Sequence, residues 1–280
     1  MAIKNKNFIK YFSHIERDYQ INGYVLIKGF FDFNAEIFPI IKRIEGIIKI
    51  IAQKEGVLLN SDDFKENYMA LLRINRKYGS IVYDAVKQLP EFISLVSSSK
   101  TINLIKTILS YDNIAIAYGG LGMRINNPNE TDYLAPWHQE YPAQLRSPKG
   151  VVLWSPLVNV SEKMGPVEIL ERSHLDGINP VFVSKGSNAN KAYLLNLRNE
   201  DKIIAKHKKV APITEPGDVL LMDFLTVHRS GKNFSNHPLW SMQVRYFSFD
   251  EAEGKKINWT GSYNSGHDFS SVYPHFIEEV

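Results

Sequence analysis

Trp137-His138-Gln139-Glu140 sets an imidazole and a carboxylate two residues apart. On a strand, residues at that spacing share a face, so His138 and Glu140 would project together. They make half of a two-histidine, one-carboxylate set. Such a set occupies one face of a non-haem Fe(II) ion and leaves the opposite face open for co-substrate and oxygen. The triplet alone is weak evidence. A second histidine is needed far along the chain, at the end of another strand, and His228 fits that description. Glu215-Pro216-Gly217-Asp218 reads as a turn, and Val219 to Phe224 as a strand that ends close to His228. The alternative is a surface histidine that follows a strand.

A cation for a dicarboxylate co-substrate comes next. Arg245 lies in Ser241-Met242-Gln243-Val244-Arg245-Tyr246-Phe247, among apolar strand residues. A buried charge is costly unless it is paired, and the planar guanidinium fork matches a carboxylate through two hydrogen bonds. If 218–228 and 240–249 form a hairpin, Arg245 sits several residues deeper than the metal, and a small extended diacid bridges the gap. A structural ion pair with a core carboxylate such as Asp223 is the competing explanation.

Two contrasting halves must position these side chains. Residues 4–109 read as mainly helical: Phe8, Phe12, Ile15 and Tyr19 recur at helical spacing, as do Ile37, Ile41, Ile44, Ile48 and Ile51. Asn34 is the expected N-cap of the second helix. Between the two, Tyr24 to Ile27 follows Asn22-Gly23 and reads as a strand. Further helices are expected near 62–76, 79–88, 90–98 and 101–109. From Asn113 the pattern changes to short strands, at 113–118, 121–125, 133–138, 150–158, 166–171, 180–183, 218–227 and 240–249. Turn signals such as Gly119-Gly120 and Met164-Gly165-Pro166 separate them. The 184–214 connection is polar and reads as a surface excursion. Many short strands between turns predict a sandwich or a jelly-roll barrel. The expected fold is therefore mainly β with α, as one domain over 1–280. A helical layer (1–110) packs against one sheet of a jelly roll (111–250), and a tail (251–280) follows.

Composition narrows the functional classes. The chain has 280 residues, of which 44% are apolar and 22% charged, enough for a sizeable core. The net charge of +3 is scattered, and the longest basic cluster, Lys206-His207-Lys208-Lys209, reads as a solvated loop rather than a phosphate-binding patch. No nucleic-acid partner is expected, and a small-molecule substrate is. The absence of cysteine excludes disulfides, thiolate metal sites, iron–sulfur clusters and cysteine nucleophiles. No signal peptide is visible. The most apolar helix, Ile37 to Ala52, is broken by Lys42, Arg43, Glu45 and Lys49, and no segment approaches the roughly 20 apolar residues of a membrane span. A cytoplasmic protein is the default expectation.

The order of these pieces resembles the phytanoyl-CoA dioxygenase family of Fe(II)/2-oxoglutarate oxygenases. The matching segments are Asp18 to Phe31, Pro136 to Pro142 (PWHQEYP), Gly150 to Val158 (GVVLWSPLV), Gly165 to His174 (GPVEILERSH), Pro216 to Asn233 (PGDVLLMDFLTVHRSGKN) and Met242 to Tyr246. They run in the family's order and span most of the chain. The resemblance implies a cupin-like double-stranded β-helix with His138, Glu140 and His228 as iron ligands. It also implies that Ser230, two residues past the distal histidine, touches the far carboxylate of 2-oxoglutarate. Arg124 falls roughly where the family has a basic residue near the co-substrate, with a surface arginine as the alternative. The implied activity uses Fe(II), 2-oxoglutarate and O2 to hydroxylate an unactivated C–H bond of a small-molecule metabolite, releasing succinate and CO2.

Two departures from the family pattern stand out. Glu140 replaces the usual aspartate, one methylene longer but with the same hard oxygen donor. Leu239 holds the usual position of the co-substrate arginine, so Arg245 is expected to substitute from further along the strand. The rival classes are a cupin-like metal protein acting without oxygen, as an isomerase or hydrolase, and a binding module that has lost the chemistry. Cupin-type sites usually need a histidine–x–histidine pair, which this sequence lacks.

Other candidates carry less. His174 reads as structural, and His207, His237, His267 and His275 as exposed. Trp154 is expected in the core, with the pocket lining as the alternative. Tyr141, Gln144 and Arg146 either meet substrate or pack a loop. Trp259, Tyr263, Phe269, Tyr273 and Phe276 either cover the pocket or pack on the surface.

Overall fold

The computed structural model describes residues 6–183, 195–261 and 272–276. Helices α1 (Lys6–Asn22), α2 (Phe38–Lys54), α3 (Phe64–Ile74), α4 (Lys77–Val86), α5 (Pro90–Val96) and α6 (Ser99–Leu109) make up most of the first half. In α2, Ile40, Ile44 and Ile48 are fully buried, so burial of one apolar face outweighs the modest helix propensity of β-branched residues. Among the described side chains of α1, Ile15 and Tyr19 are buried, whereas the side chains of Phe8 and Phe12 lie outside the described residues. The start of α2 differs from expectation. Asp32, not Asn34, caps the chain by accepting from the Ala35 amide at 2.7 Å, and a π-helical turn over Phe33–Ile37 precedes the helix. Pro39 has no N–H to offer the Ala35 carbonyl, so the regular α ladder begins only beyond that turn.

The strands are β1 (Tyr24–Ile27), β2 (Ile114–Asn126), β3 (Val151–Pro156), β4 (Glu168–Leu170), β5 (Val181–Val183), β6 (Leu195–Leu197), β7 (Lys209–Val210), β8 (Val219–Asp223), β9 (His228–Arg229) and β10 (Leu239–Ser248). A five-stranded antiparallel sheet has the order β1-β8-β3-β10-β2, a smaller sheet the order β7-β4-β9, and β5 pairs with β6. Along the large sheet Met222 lies opposite Val152, Val152 opposite Arg245, Trp154 opposite Gln243, and Ser241 opposite Arg124. Directly opposed residues share a face, so this line of side chains looks into one space. The alternate residues Leu153, Leu221, Met242 and Val244 are fully buried on the other face. There the helices pack: the Tyr246 hydroxyl donates to the Val96 carbonyl at 2.7 Å, and Tyr68 meets Trp240 edge-on at 5.0 Å. The result is the jelly roll with a helical layer on one sheet that the strand pattern predicts.

Several boundaries differ from that pattern. Segments 113–118 and 121–125 are one strand, β2, and Gly119-Gly120 forms an irregularity inside it rather than a turn. Segment 133–138 is not a strand: Pro136 lacks a donor for a ladder, and His138 alone forms a bridge. Segment 218–227 breaks after Asp223, because the chain crosses there from the large sheet to the small one. The expected β8–β10 hairpin is absent, with β3 lying between those strands. In the supposed surface excursion, β6, a short helix α8 (Glu200–Lys206) and β7 carry buried Leu195 and Leu197, while 184–194 lie outside the described residues. Among the described residues, no helix is long and apolar enough to cross a membrane.

Candidate metal centre

Between Asp223 and His228 the backbone folds into a tight turn, with the Thr226 amide donating to the Asp223 carbonyl at 2.9 Å. His228 then opens β9 and pairs in two directions, with Ile169 of β4 and with His138. The His138–His228 bridge exchanges both backbone hydrogen bonds, each 3.0 Å long. A pair of this kind sets the two side chains next to each other, and the imidazole centroids lie 4.3 Å apart. Each ring places Nδ1 on a carbonyl two residues earlier, His138 on Pro136 at 2.7 Å and His228 on Thr226 at 2.9 Å. A carbonyl only accepts, so Nδ1 carries a hydrogen and Nε2 is the atom left to face a metal. Both rings thereby turn Nε2 toward Glu140. Burial, then the neighbouring His138, push the His228 imidazole down to about 3.

Glu140 reaches the same point from a different backbone. Gln139 is extended and pinned on both ends of its amide, donating to the Gly177 and Leu225 carbonyls at 2.7 Å and accepting from the Asn179 amide at 2.8 Å. The alternation that puts His138 and Glu140 on one side survives that single extended residue. Glu140 itself begins a short helix, α7 (Glu140–Gln144), rather than continuing a strand. Its Oε2 is 3.8 Å from Nε2 of both histidines, and the three ligand atoms all lie within 4.8 Å of one another. Glu140 is 1% exposed. Burial pushes its carboxyl up, but Arg245, His138 and His228 outweigh burial and hold it well below the usual carboxylate range. Two imidazole Nε2 atoms and a buried carboxylate are the donor set for a non-haem divalent iron, and they open onto a shared cavity.

Arg245 and Ser230 join the same cavity, whose volume is about 230 Å³. Arg245 donates Nε to Glu140 Oε1 at 2.9 Å, and Nη2 to Oε2 at 3.4 Å and to Gln243 Oε1 at 3.2 Å. Its carboxylate partner is thus Glu140 rather than Asp223, which instead accepts from the Tyr19 hydroxyl and the Leu225 amide. The register between β10 and β2 shifts around Arg245. Opposite it, Gly119 has φ +80, and a Cβ on Gly120 would come within 3.0 Å of the Arg245 Cβ. The positive φ favours glycine at 119, and a side chain at 120 would press on the arginine where it turns inward.

Other candidates sort by contact. Trp154 is 5% exposed and lines the cavity, as does Gln144. Arg124, a surface residue on one expectation, faces the cavity too. Its inward direction follows from strand register, which local composition does not reveal. Tyr141 is buried, and its hydroxyl meets that of Tyr273 at 2.9 Å, which returns part of the tail to the metal loop. Arg146 is buried and bonded to the Gln144 and Tyr118 carbonyls. His174 holds the Gln20 carbonyl at 3.0 Å at the end of α1. Contrary to expectation, the His207 side chain is only 8% exposed, because Asp176 draws it inward. His237 is half-buried and pairs with Glu66, His275 is exposed, and His267 lies outside the described residues. Gln243 and Tyr83 also line the cavity. The two-residue period that points Arg245 inward does the same for Gln243, whereas Tyr83 arrives from α4 and no local pattern ties it to the barrel.

A model of the phytanoyl-CoA dioxygenase (PhyH) family matches residues 19–238. No curated protein matches the chain. Among solved structures, the epimerase SnoN in complex with Fe3+, alpha ketoglutarate and nogalamycin RO is 16% identical, with a TM-score of 0.59 over 86% of this chain and 84% of its own. EctD from S. alaskensis in its apoform is 14% identical, with a TM-score of 0.57 over 84% of this chain and 76% of its own. AviO1 from Streptomyces viridochromogenes Tue57 is 14% identical, with a TM-score of 0.56 over 90% of this chain and 99% of its own. At these identities the likeness is one of fold.

Proposed function

The chain belongs to the phytanoyl-CoA dioxygenase family, and on that premise we propose that it is an Fe(II)- and 2-oxoglutarate-dependent oxygenase that hydroxylates an unactivated C–H bond of a small-molecule metabolite. The observation that carries this reading is the buried convergence of His138, Glu140 and His228, with all ligand atoms within 4.8 Å of one another. The two Nε2 atoms and Glu140 Oε2 would hold the iron. Bound there, Fe(II) supplies oxygen activation coupled to the oxidative decarboxylation of 2-oxoglutarate to succinate and CO2.

The remaining work falls to the chain's own residues. The Pro136 and Thr226 carbonyls fix both imidazole tautomers, which orients the donors before any ion arrives. Val152, Trp154, Val167 and Met222 line the cavity with apolar surface and limit water near the reacting groups. On the same wall Ser230 and cationic side chains suit the far carboxylate of the 2-oxo acid; the sequence points to Arg245, and the structure adds Arg124.

The test is oxygen-dependent succinate release by the Fe(II)-loaded full chain, which His138→Ala and Glu140→Ala should abolish. A product that has gained one oxygen atom marks hydroxylation. A product of unchanged mass marks epimerisation, the activity named for SnoN. Metal binding with no affinity for 2-oxoglutarate would instead identify a cupin-like protein that works without oxygen.

A further inference from the structure

Among the described residues three arginines face the iron cavity, and they are not equivalent. Arg229 is committed to Glu168, Nε to Oε2 at 2.6 Å, and lies over the Trp137 ring at 4.6 Å. Arg245 commits Nε and Nη2 to Glu140 and Gln243. Its shortest bond, 2.9 Å, goes to Oε1 of Glu140 and a longer one, 3.4 Å, to Oε2, the oxygen that also faces both imidazoles at 3.8 Å. A glutamate has one more rotatable bond than an aspartate between backbone and carboxylate, and every such bond must be fixed at an entropic cost. A guanidinium held most closely to Oε1, with a longer reach to Oε2, fixes the carboxylate before metal binds and occupies the oxygen that a two-oxygen grip would need.

Arg124 differs in both place and partners. It stands opposite Ser241 in the β2–β10 register, on the face of Gln243 and Arg245. Four residue steps along the strand lead from Ser241 to Arg245, about 13 Å at the usual rise. Nη2 of Arg124 donates to the Tyr133 carbonyl at 2.6 Å, while its buried Nε has no hydrogen-bond partner. Arg124 also lines a second cavity of about 400 Å³, where Asn127 is 6% exposed with Oδ1 unpartnered. A buried guanidinium N–H without an acceptor is destabilising, and an incoming carboxylate removes that penalty.

We propose that Arg245 is a positioning residue that holds Glu140 to one-oxygen ligation, and that Arg124 is the cation receiving the distal carboxylate of a 2-oxo diacid. The inference rests on the function proposed above and reverses the arginine assignment made from sequence.

The experiment uses the full chain with Mn2+ and two five-carbon probes, 2-oxoglutarate and 2-oxopentanoate, which differ only in the distal carboxylate. Calorimetric titration yields the Mn2+ affinity and the ratio of the two 2-oxo acid affinities. Arg124→Gln should shrink that ratio by about tenfold or more and leave Mn2+ affinity unchanged. Arg245→Gln should weaken Mn2+ by about 10- to 100-fold and leave the ratio, read at saturating Mn2+, unchanged. Arg124→Lys and Arg245→Lys keep the charge without the fork; they serve if the glutamine variants fail to fold, and should shift the same quantities by less. The proposal is overturned if the ratio shrinks in the Arg245 variants but not in those of Arg124, or if Mn2+ affinity stays put in the Arg245 variants. A wild type that binds Mn2+ but neither 2-oxo acid sinks the functional reading and the role of Arg124 with it, while Mn2+ affinity still decides the role of Arg245.

Discussion

His138 and His228 exchange both of their backbone hydrogen bonds at 3.0 Å, so the same bridge that ties two distant loops together aligns two imidazoles. The metal donors are therefore set by backbone pairing, before any side chain meets an ion.

Metal should accordingly stabilise the fold. An ion present at about 100 times its Kd adds about 2.7 kcal/mol to unfolding, and a chelator should reverse the gain. In His228→Ala the melting temperature should no longer respond to Mn2+. A response that persists in this variant means that the ion binds elsewhere.

Glu140→Gln should cost the metal-free protein about 2 kcal/mol, because it removes the charged acceptor from the largely buried Arg245. Urea unfolding of wild type and variant measures the difference. Equal stabilities would show that the Arg245–Glu140 pair is not formed in solution.

Gly23 links a remote turn to the distal ligand. It has φ +79, and an added Cβ would run into Thr226 Oγ1 and the His174 ring. Thr226 also carries the carbonyl that accepts from His228 Nδ1. Gly23→Ala should therefore lose about 1–3 kcal/mol of stability and weaken Mn2+ binding as well. Unchanged affinity in a destabilised variant would uncouple this turn from the metal.

Asp223 makes stability depend on pH. Burial pushes its carboxyl up to about 6 in the fold, above the value of about 3.9 in an unfolded chain. The folded state thus keeps a proton that the unfolded state releases between those values. Its contribution is present below about pH 4, falls as pH rises to about 6, and stays lost above. Asp223→Asn keeps an oxygen acceptor for the Leu225 amide, bonded at 2.8 Å in the wild type. Compared with wild type, it should be more stable at pH 7 by up to about 3 kcal/mol and nearly equal at pH 4. Melting temperatures of the two proteins across that range decide it; a constant difference contradicts the shift.

Much of the site is legible along the chain. His138 and Glu140 are expected on one side because strands alternate, and one extended residue, Gln139, preserves that relation although Glu140 starts a helix. His228 is expected after a strand, and it follows β8 across a short turn. The β8–β10 hairpin fails because jelly-roll connectivity sends the chain to the other sheet after Asp223, and β3 fills the place beside β8. His207 shows the same limit on a small scale: its burial depends on Asp176, a partner from another loop.

What the residues alone determine is the donor chemistry, its order, and the change from helical to strand periodicity, since side-chain type and local spacing carry them. Which oxygen of Glu140 faces the imidazoles, which arginine it occupies, and that Arg124 looks inward were decided only when β2, β10 and the His138 loop packed together. Those facts are contacts between segments about a hundred residues apart in sequence, such as Arg245 and Glu140, and no local pattern encodes a partner at that distance.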